Sequence, residues 1–531
     1  MENGSNYSNG GLNKPNEVKS TKKSVNKSMF VILLFIIFFV CGYFIFKKDK
    51  SNVDGEFELQ NNKYLAYRLS GNSLENFDLY FLQLENNKKN KIYSPLSIKY
   101  ALEMLEEAAN GNSKKEISNI IGTYRYKKYT NSENMSFANA LFIKDSYKKA
   151  IKESYINNLS SKFNAEVVYD SFATPNTLNS WISNKTFNLI DNIADDISEQ
   201  DFILVNALAL DMEWNNVIQD VGGDYRVNYN HQKFSKSIGP LEMGYHKLKF
   251  EDSSYDVKSV ELGAVVNKYD IVNVLGEDTI RQTVGNEYSK WLASGGCYGI
   301  ENEPDVNTYL DKYIKEINEN YKDISSSTDF EFYVDDNVKV FAKDLKKYDS
   351  TILQYVAIMP KNDSLDNYIA NINAANMNTL INNLKPIELN SFKDGVITEI
   401  SGYIPMFKFD YELNLMDDLS KLGITSVFNR DKADLSNLAN DKIFIDEVSH
   451  KANIEFSNEG IKAGAVTIIE SGRGAGGCSF DYTYDVPVEK IDLTFDKPYL
   501  FLIRDKKSGE VWFVGTVYEP TEYQKQWFDE W

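Results

Sequence analysis

The 531-residue chain is short of cysteine, of histidine and of positive charge, and each scarcity removes a class of protein. Cys41, Cys297 and Cys478 are too few for a disulfide framework, and no C-x-x-C pair is present to start a structural zinc site. Cys297 and Cys478 either pair, if the protein is exported, or stand as free thiols. His231, His246 and His450 are far apart and none belongs to an H-E-x-x-H helix, so neither a metal site nor a metal cofactor is expected. With 58 Lys and Arg against 77 Asp and Glu, the formal charge of −19 argues against nucleic acid as a partner. Catalytic signatures are missing too: there is no G-x-S-x-G elbow, no phosphate-cradling loop and no Cys with His at a useful spacing. Gly472-x-Gly474-x-x-Gly477 has the letters of a dinucleotide fingerprint, but Cys478-Ser479-Phe480-Asp481 does not open a helix after it. The expectation is a protein with no enzymatic activity and no cofactor.

What the chain does have is apolar material. Hydrophobic residues make up 42% and aromatics 13%, with 34 Tyr and 31 Phe, enough to bury one large core or two to three ordinary ones. Residues 1–28 are rich in Asn, Ser, Gly and Lys and read as a disordered tail. Residues 29–46, MFVILLFIIFFVCGYFIF, run for 18 positions without a charge, long enough to span a bilayer. Lys14, Lys19, Lys22, Lys23 and Lys27 precede them, whereas Lys47, Lys48 and Lys50 follow mixed with Asp49, which places the N-terminus inside and the rest outside. No Ala-x-Ala cleavage site follows, and Val40 before Cys41 does not suit a lipoprotein signal, so an uncleaved single-pass anchor is expected. Residues 47–62 then form a tether.

Helix and strand signals begin after it. Ser94 caps a helix with Pro95 in its first turn, Ile98, Ala101, Leu102 and Leu105 form its apolar stripe, and a second short helix runs to Ile121. SFANALFIK, ending at Lys144, and FILVNALAL, from Phe202 to Leu210, read as strands. An amphipathic helix is predicted from Val306 to Tyr321, with Tyr309, Leu310, Tyr313, Ile314 and Ile317 on the face that packs onto the body. The chain closes with a hairpin of Tyr499 to Arg504 and Val511 to Val517, turned at Lys507-Ser508-Gly509. Between Ile443 and Arg504 lies the most informative stretch. Ala452, Ile454 and Phe456 alternate with Lys451, Asn453 and Glu455 as in a half-buried strand, which stops at Asn458-Glu459-Gly460. Ala463 to Ile469 is strand-prone again, yet runs into Gly472-Arg473-Gly474-Ala475-Gly476-Gly477, which cannot hold a packed element. A potential strand tied to such a loop suggests two states, exposed loop or inserted strand.

His450-Lys451-Ala452, Glu459-Gly460, Ala463-Gly464-Ala465-Val466-Thr467 and Lys497-Pro498-Tyr499-Leu500-Phe501, in that order, resemble the hinge and reactive loop of the serpins. The resemblance extends to Asn90, Ser94 and Ser97, to Leu178–Ile190 with Asn188 where the family has Gly, to the spacing of Asn206 and Trp214, to Leu353–Pro360, and to Ile404–Asn429. It covers 63–520 apart from an insertion at about 232–335, to which no role is assigned, and it leaves a tail at 521–531. It implies an α+β serpin fold of three β-sheets, eight to nine helices and an exposed reactive loop, preceded here by one transmembrane helix. It also implies a monomer that traps a serine protease, the protease attacking the loop and the cut loop entering the main sheet as a new strand. Glu459, Gly460, Ile461, Ala463, Ala465 and Thr467 then form the hinge, and Asn90, Ser94, Ser97, Asn206 and His450 the shutter beneath the sheet. Asn458 stands where the family favours Glu, and Ile461 where it favours a small hydroxyl residue.

Side chains that become buried must be small or apolar, because an unpaired buried charge costs about 3–5 kcal/mol; Ile461, Ala463, Ala465, Thr467 and Ile469 all meet that demand. Counting from Gly460 puts the cut near Arg473-Gly474 or Gly474-Ala475, and counting back from Pro498 puts it near Val486 and Pro487. Arg473 is the only basic residue between Ala463 and Glu489, which fits either the bait of a trypsin-like protease or a charge that keeps a Gly-rich loop soluble. Asp481 and Asp485 keep a cysteine protease in view. The alternative to a membrane-anchored inhibitor is a non-inhibitory, serpin-like interaction protein on the cell surface.

Overall fold

The computed structural model describes residues 65–524, apart from 217, 219–224, 230–231, 237–245, 252, 297–302, 320–321, 327–328, 348–350, 447, 462–479, 481 and 483–486. The chain divides into two units, Met1–Lys63 and Tyr64–Trp531, and every described residue belongs to the second. The expected tail, anchor and tether lie outside the described residues, among which no helix is long and apolar enough to cross a membrane.

Eleven α-helices occur among the described residues: α1 (Asn76–Leu84), α2 (Pro95–Ala108), α3 (Gly111–Ile121), α4 (Glu153–Phe163), α5 (Asn176–Lys185), α6 (Ile271–Leu275), α7 (Glu277–Ala293), α8 (Val306–Glu319), α9 (Leu365–Asn371), α10 (Ala374–Asn382) and α11 (Leu415–Lys421). This exceeds the eight to nine expected, and three of them, α6–α8, fall within 232–335. Ser94 caps α2 as its sequence suggests, the hydroxyl oxygen accepting the Ser97 N–H at 3.0 Å with Pro95 as the first helical residue.

Strands are numbered along the chain. Seven form one sheet in the order β1 (Lys91–Tyr93), β21 (Val511–Val517), β20 (Tyr499–Asp505), β13 (Leu353–Pro360), β12 (Val338–Asp344), β11 (Glu331–Val334) and β14 (Lys385–Pro386). A second sheet runs β10 (Asp323–Ser326), β9 (Asp256–Asn267), β15 (Ile397–Pro405) and β19 (Val488–Asp492), with β8 (His246–Lys249) also on β9. A third has the order β16 (Phe407–Asn414), β17 (Ser449–Phe456), β18 (Gly460–Ile461) and β5 (Met212–Glu213), and a fourth β3 (Glu166–Asp170), β2 (Met135–Lys144) and β4 (Phe202–Leu210). β6 (Tyr225–Tyr229) pairs with β7 (Gln232–Lys236) as a separate hairpin. The three sheets of the expectation therefore become four larger ones, because what would be a single main sheet is parted between β4 and β17.

β20 and β21 are the middle of the molecule. YLFLI and VWFVGTV are buried along their length, the near-continuous apolar reading of strands covered on both faces. Their rings join those of the parted sheet: Phe501 stacks on Tyr355 at 5.6 Å and on Phe407 at 5.3 Å, and Phe456 lies 4.9 Å from Tyr355. One aromatic core thus supports the point where the third sheet begins to open. The stretch 232–335 does not stand apart as a whole: β9 pairs with β15 over nine residues, and β11 belongs to the seven-stranded sheet.

Candidate functional site: a parted sheet and its first rungs

Among the described residues β4 is paired with β2 alone, and β17 with β16 and with a single residue of β18, so each presents an open edge toward the other. Open edges are rows of unpaired N–H and C=O groups, a template for another strand. Between them runs a seam lined by Leu208, Ala209 and Leu210 on one side and Asn453, Ile454 and Glu455 on the other, with Ile92, Ile503 and Phe513 beneath. The pocket along it, partly open to solvent, is about 20 Å³, room for roughly one water molecule. The seam is narrow, and a strand entering it must push the two edges apart.

At one end this has already happened. Ile461 faces Phe456 of β17 on one side and Met212 of β5 on the other, and Gly460 faces Glu213. Gly460 is required there, since a Cβ would stand 2.2 Å from the Met212 carbonyl oxygen and 2.7 Å from Glu213 Cα. Ile461 is 3% exposed and closes the upper end of the seam. The turn that delivers it is tightly bonded: the Ser457 N–H donates to the Gly460 carbonyl at 3.0 Å, and the Trp214 N–H donates to the Glu459 carbonyl at 2.9 Å. Trp214 Nε1 donates to the Ser457 carbonyl at 2.9 Å, and its buried indole lies edge-on to Phe456 at 5.5 Å. The strand that sequence ends at Gly460 therefore resumes for two residues, because β5 and β17 offer it a ladder on both sides.

A strap covers the seam. After α5, Thr186 is fully buried, its Oγ1 donating to the Ile182 carbonyl at 2.8 Å and accepting the Ile190 N–H at 3.2 Å. Phe187 and Asn188 have φ of +53° and +58°, a turn that brings Leu189 and Ile190 against the seam. Asn188 occupies the left-handed region that Asn tolerates better than most residues.

At the other end of β17 stands His450. The Ser94 N–H donates to His450 Nε2 at 2.9 Å, which requires that nitrogen to be an unprotonated acceptor. Burial of the ring lowers its pKa to about 4 from 6.5, in keeping with a neutral imidazole. Ser94, Ser97 and His450 are thus brought together by the cap of α2. Asn206, on β4, donates through Nδ2 to Asn139 Oδ1 at 2.7 Å, and its own Oδ1 is buried with no hydrogen-bond partner among the described residues. Asn90 stands elsewhere: its Oδ1 accepts the N–H groups of Tyr518 and Glu519 at 2.7 and 2.8 Å, tying the chain beyond β21. Ala463, Ala465, Thr467, Arg473, Gly474 and Ala475 lie outside the described residues, as do Cys41, Cys297 and Cys478.

A main sheet parted beside a hinge is an arrangement that comparison with known proteins can test. The family model described as Serpin (serine protease inhibitor) matches residues 76–221 and 301–520. The chain belongs to the serpin family. Among relatives of this serpin, human neuroserpin is 23% identical over 470 residues, which is 83% of this chain and 88% of neuroserpin. Among solved structures, native tengpin, a thermophilic serpin, superposes with a TM-score of 0.54 at 20% identity, covering 84% of this chain and 93% of tengpin. Thyroxine-binding globulin in complex with thyroxine gives 0.54 at 17% identity, covering 84% and 97%. The family match stops at 221 and resumes at 301, so β9 is a strand of the second sheet that the match does not include.

One part of the site was not anticipated. The ring of Phe480, on the far side of the loop, is packed among Tyr288, Trp291 and Tyr309 of α7 and α8. The only trace of this in the sequence is the aromatic weighting of the α8 face at Tyr309 and Tyr313.

Proposed function

We propose that this serpin inhibits serine endopeptidases by trapping the protease as its loop enters the main sheet. The observation that carries this reading is Gly460–Ile461, two residues already laddered between β5 and β17 above open edges that continue along β4 and β17. The protease serine oxygen forms an ester with the carbonyl at the cut, the peptide C–N bond breaks, and the new amine takes the proton and leaves. The loop segment on the ester side, still joined to Ile461, then extends the strand down the seam, filling both edges with backbone hydrogen bonds. Arg473 followed by Gly474 and Ala475 is proposed as the bait, which makes a trypsin-like enzyme the target. The charge-free run 29–46, flanked by Lys, supports a single-pass anchor that holds the inhibitory domain outside the membrane.

The test is incubation of the full-length protein with a panel of serine and cysteine proteases, followed by denaturing electrophoresis. The expected result is an SDS-stable complex with a trypsin-like enzyme, and loss of that complex in Arg473→Ala. Clean cleavage of the loop with no complex and no gain in thermal stability would instead establish a non-inhibitory interaction protein. If Arg473→Ala reacts at the wild-type rate, the bait lies elsewhere.

A further inference from the structure

Residues 521–523, past the end of the family match, lie along the first residues of β9, which that match also leaves out. β9 pairs with β15 only as far as Ser259, which faces Pro405, and the chain then leaves the second sheet to begin β16 at Phe407. At this corner the Met406 N–H donates to the Lys258 carbonyl at 2.8 Å, but the return bond of the ladder runs through a third residue. Thr521 stands between the two strands: its N–H donates to the Met406 carbonyl at 2.9 Å, and its carbonyl accepts the Lys258 N–H at 2.8 Å. Two residues on, the Tyr523 N–H donates to the Asp256 carbonyl at 2.8 Å, with Glu522 opposite Val257. We propose that residues 521–523 are a clasp that closes the corner between β15 and β16 and, through it, steadies the β17 wall of the hinge. The inference concerns the uncut molecule at rest and holds whether or not the loop later enters the sheet.

A strand that turns out of a sheet strips its neighbour of backbone partners, and each group left unpaired costs about as much as a lost hydrogen bond. Here the tail supplies the partners of Lys258, Asp256 and Met406 at once. It arrives already aimed. Asn90 accepts the N–H groups of Tyr518 and Glu519 and donates through Nδ2 to the Glu519 carbonyl at 2.7 Å, and Tyr255 Oη donates to the Pro520 carbonyl at 3.1 Å. The other edge of β9 is taken by β8, where Leu248 faces Val257, and both side chains are buried with Phe250 beside Tyr403 of β15. The start of β9 is thus held from both sides. From the corner the route to the hinge is one residue long: Phe407 follows Met406, stacks on Phe456 at 5.4 Å and 16°, and Phe456 faces Ile461. A corner free to swing carries the Phe407 ring with it and loosens the strand that Ile461 is laddered to.

Hydrogen exchange read by mass spectrometry on the whole protein, with no protease present, tests the clasp. Wild type is compared with a chain ended after Pro520, a chain ended after Gln524, and Thr521→Pro, which removes the N–H given to Met406. Ending the chain after Pro520 is expected to speed exchange at least tenfold in peptides 405–409 and 454–461, and Thr521→Pro at least threefold, while peptide 136–143 of β2 keeps its wild-type rate. Ending it after Gln524 is expected to leave all of these within twofold of wild type. A rise confined to 256–260 would mean that the tail only covers an edge, and an equal rise in 136–143 would mean general loosening; either overturns the clasp. So does a wild-type pattern in Thr521→Pro, or fast exchange in the chain ended after Gln524. Should the chain ended after Pro520 not fold, Thr521→Pro decides the question by itself, since it keeps every other side chain.

Discussion

Ile461 and Phe480 bound the same stretch of chain and are held by opposite kinds of force. Ile461 is held by backbone: its ladder partners lie on β5 and β17, and the bonds it makes are the same bonds that the edges below offer to any residue following it. Phe480 is held by side chains, in a pocket whose three rings fit one ring in one place. A backbone ladder can be extended by repetition, whereas an aromatic fit can only be kept or lost. The ladder at Ile461 is the end from which the proposed insertion advances.

The contrast can be broken most strongly at Ile461. Ile461→Glu places a carboxylate at a position that is 3% exposed, and urea unfolding is expected to show a loss of about 3–5 kcal/mol. A loss under about 1 kcal/mol would mean that β18 leaves the seam easily, so that the hinge is no better held than a free loop. His450 sharpens the comparison at the far end of β17. Its folded pKa of about 4 lies below 6.5, so as pH falls the unfolded chain takes the proton first, and stability that is complete above pH 6.5 drains away between about 6.5 and 4. Buried Glu103, raised to about 7, has the opposite sign, favouring the fold at low pH and losing that contribution as pH rises toward 7. The informative quantity is thus the difference between wild type and His450→Gln, expected to shrink by about 2–3 kcal/mol between pH 7 and pH 4.5 in urea melts. A difference that does not change with pH would show that the ring is solvated. The smallest effect belongs to Lys451, whose exposed Nζ donates to the Asn192 carbonyl at 3.0 Å beyond α5. Lys451→Met is expected to cost under about 1 kcal/mol in the same melts, and a larger cost would show that this contact helps hold the seam shut.

Local chemistry was readable wherever a few neighbouring residues decide the outcome. Ser94 with Pro95 starts α2, and the closing hairpin turns where Gly509 takes φ +80°, both as the sequence suggests. Asn188 in a left-handed turn is another such case. Pairing between distant strands was less legible. β9 reads as ordinary alternating sequence, and only its partner β15, more than a hundred residues on, makes it central to a sheet. Asn90 and Ser94 are four residues apart and were grouped by resemblance, yet one bonds the chain beyond β21 and the other faces His450. Phe480 was invisible as a site because its partners lie nearly two hundred residues away and share no spacing with it.

The width of the parted sheet has a kinetic consequence. Where β18 stands between β5 and β17 the edges are already two strand spacings apart, about 9.5 Å, while below it only about one water's volume is open. The opening is a wedge with its broad end at Ile461. In the insertion proposed above, each residue that follows Ile461 would widen the gap for the next, giving it one starting point and one direction.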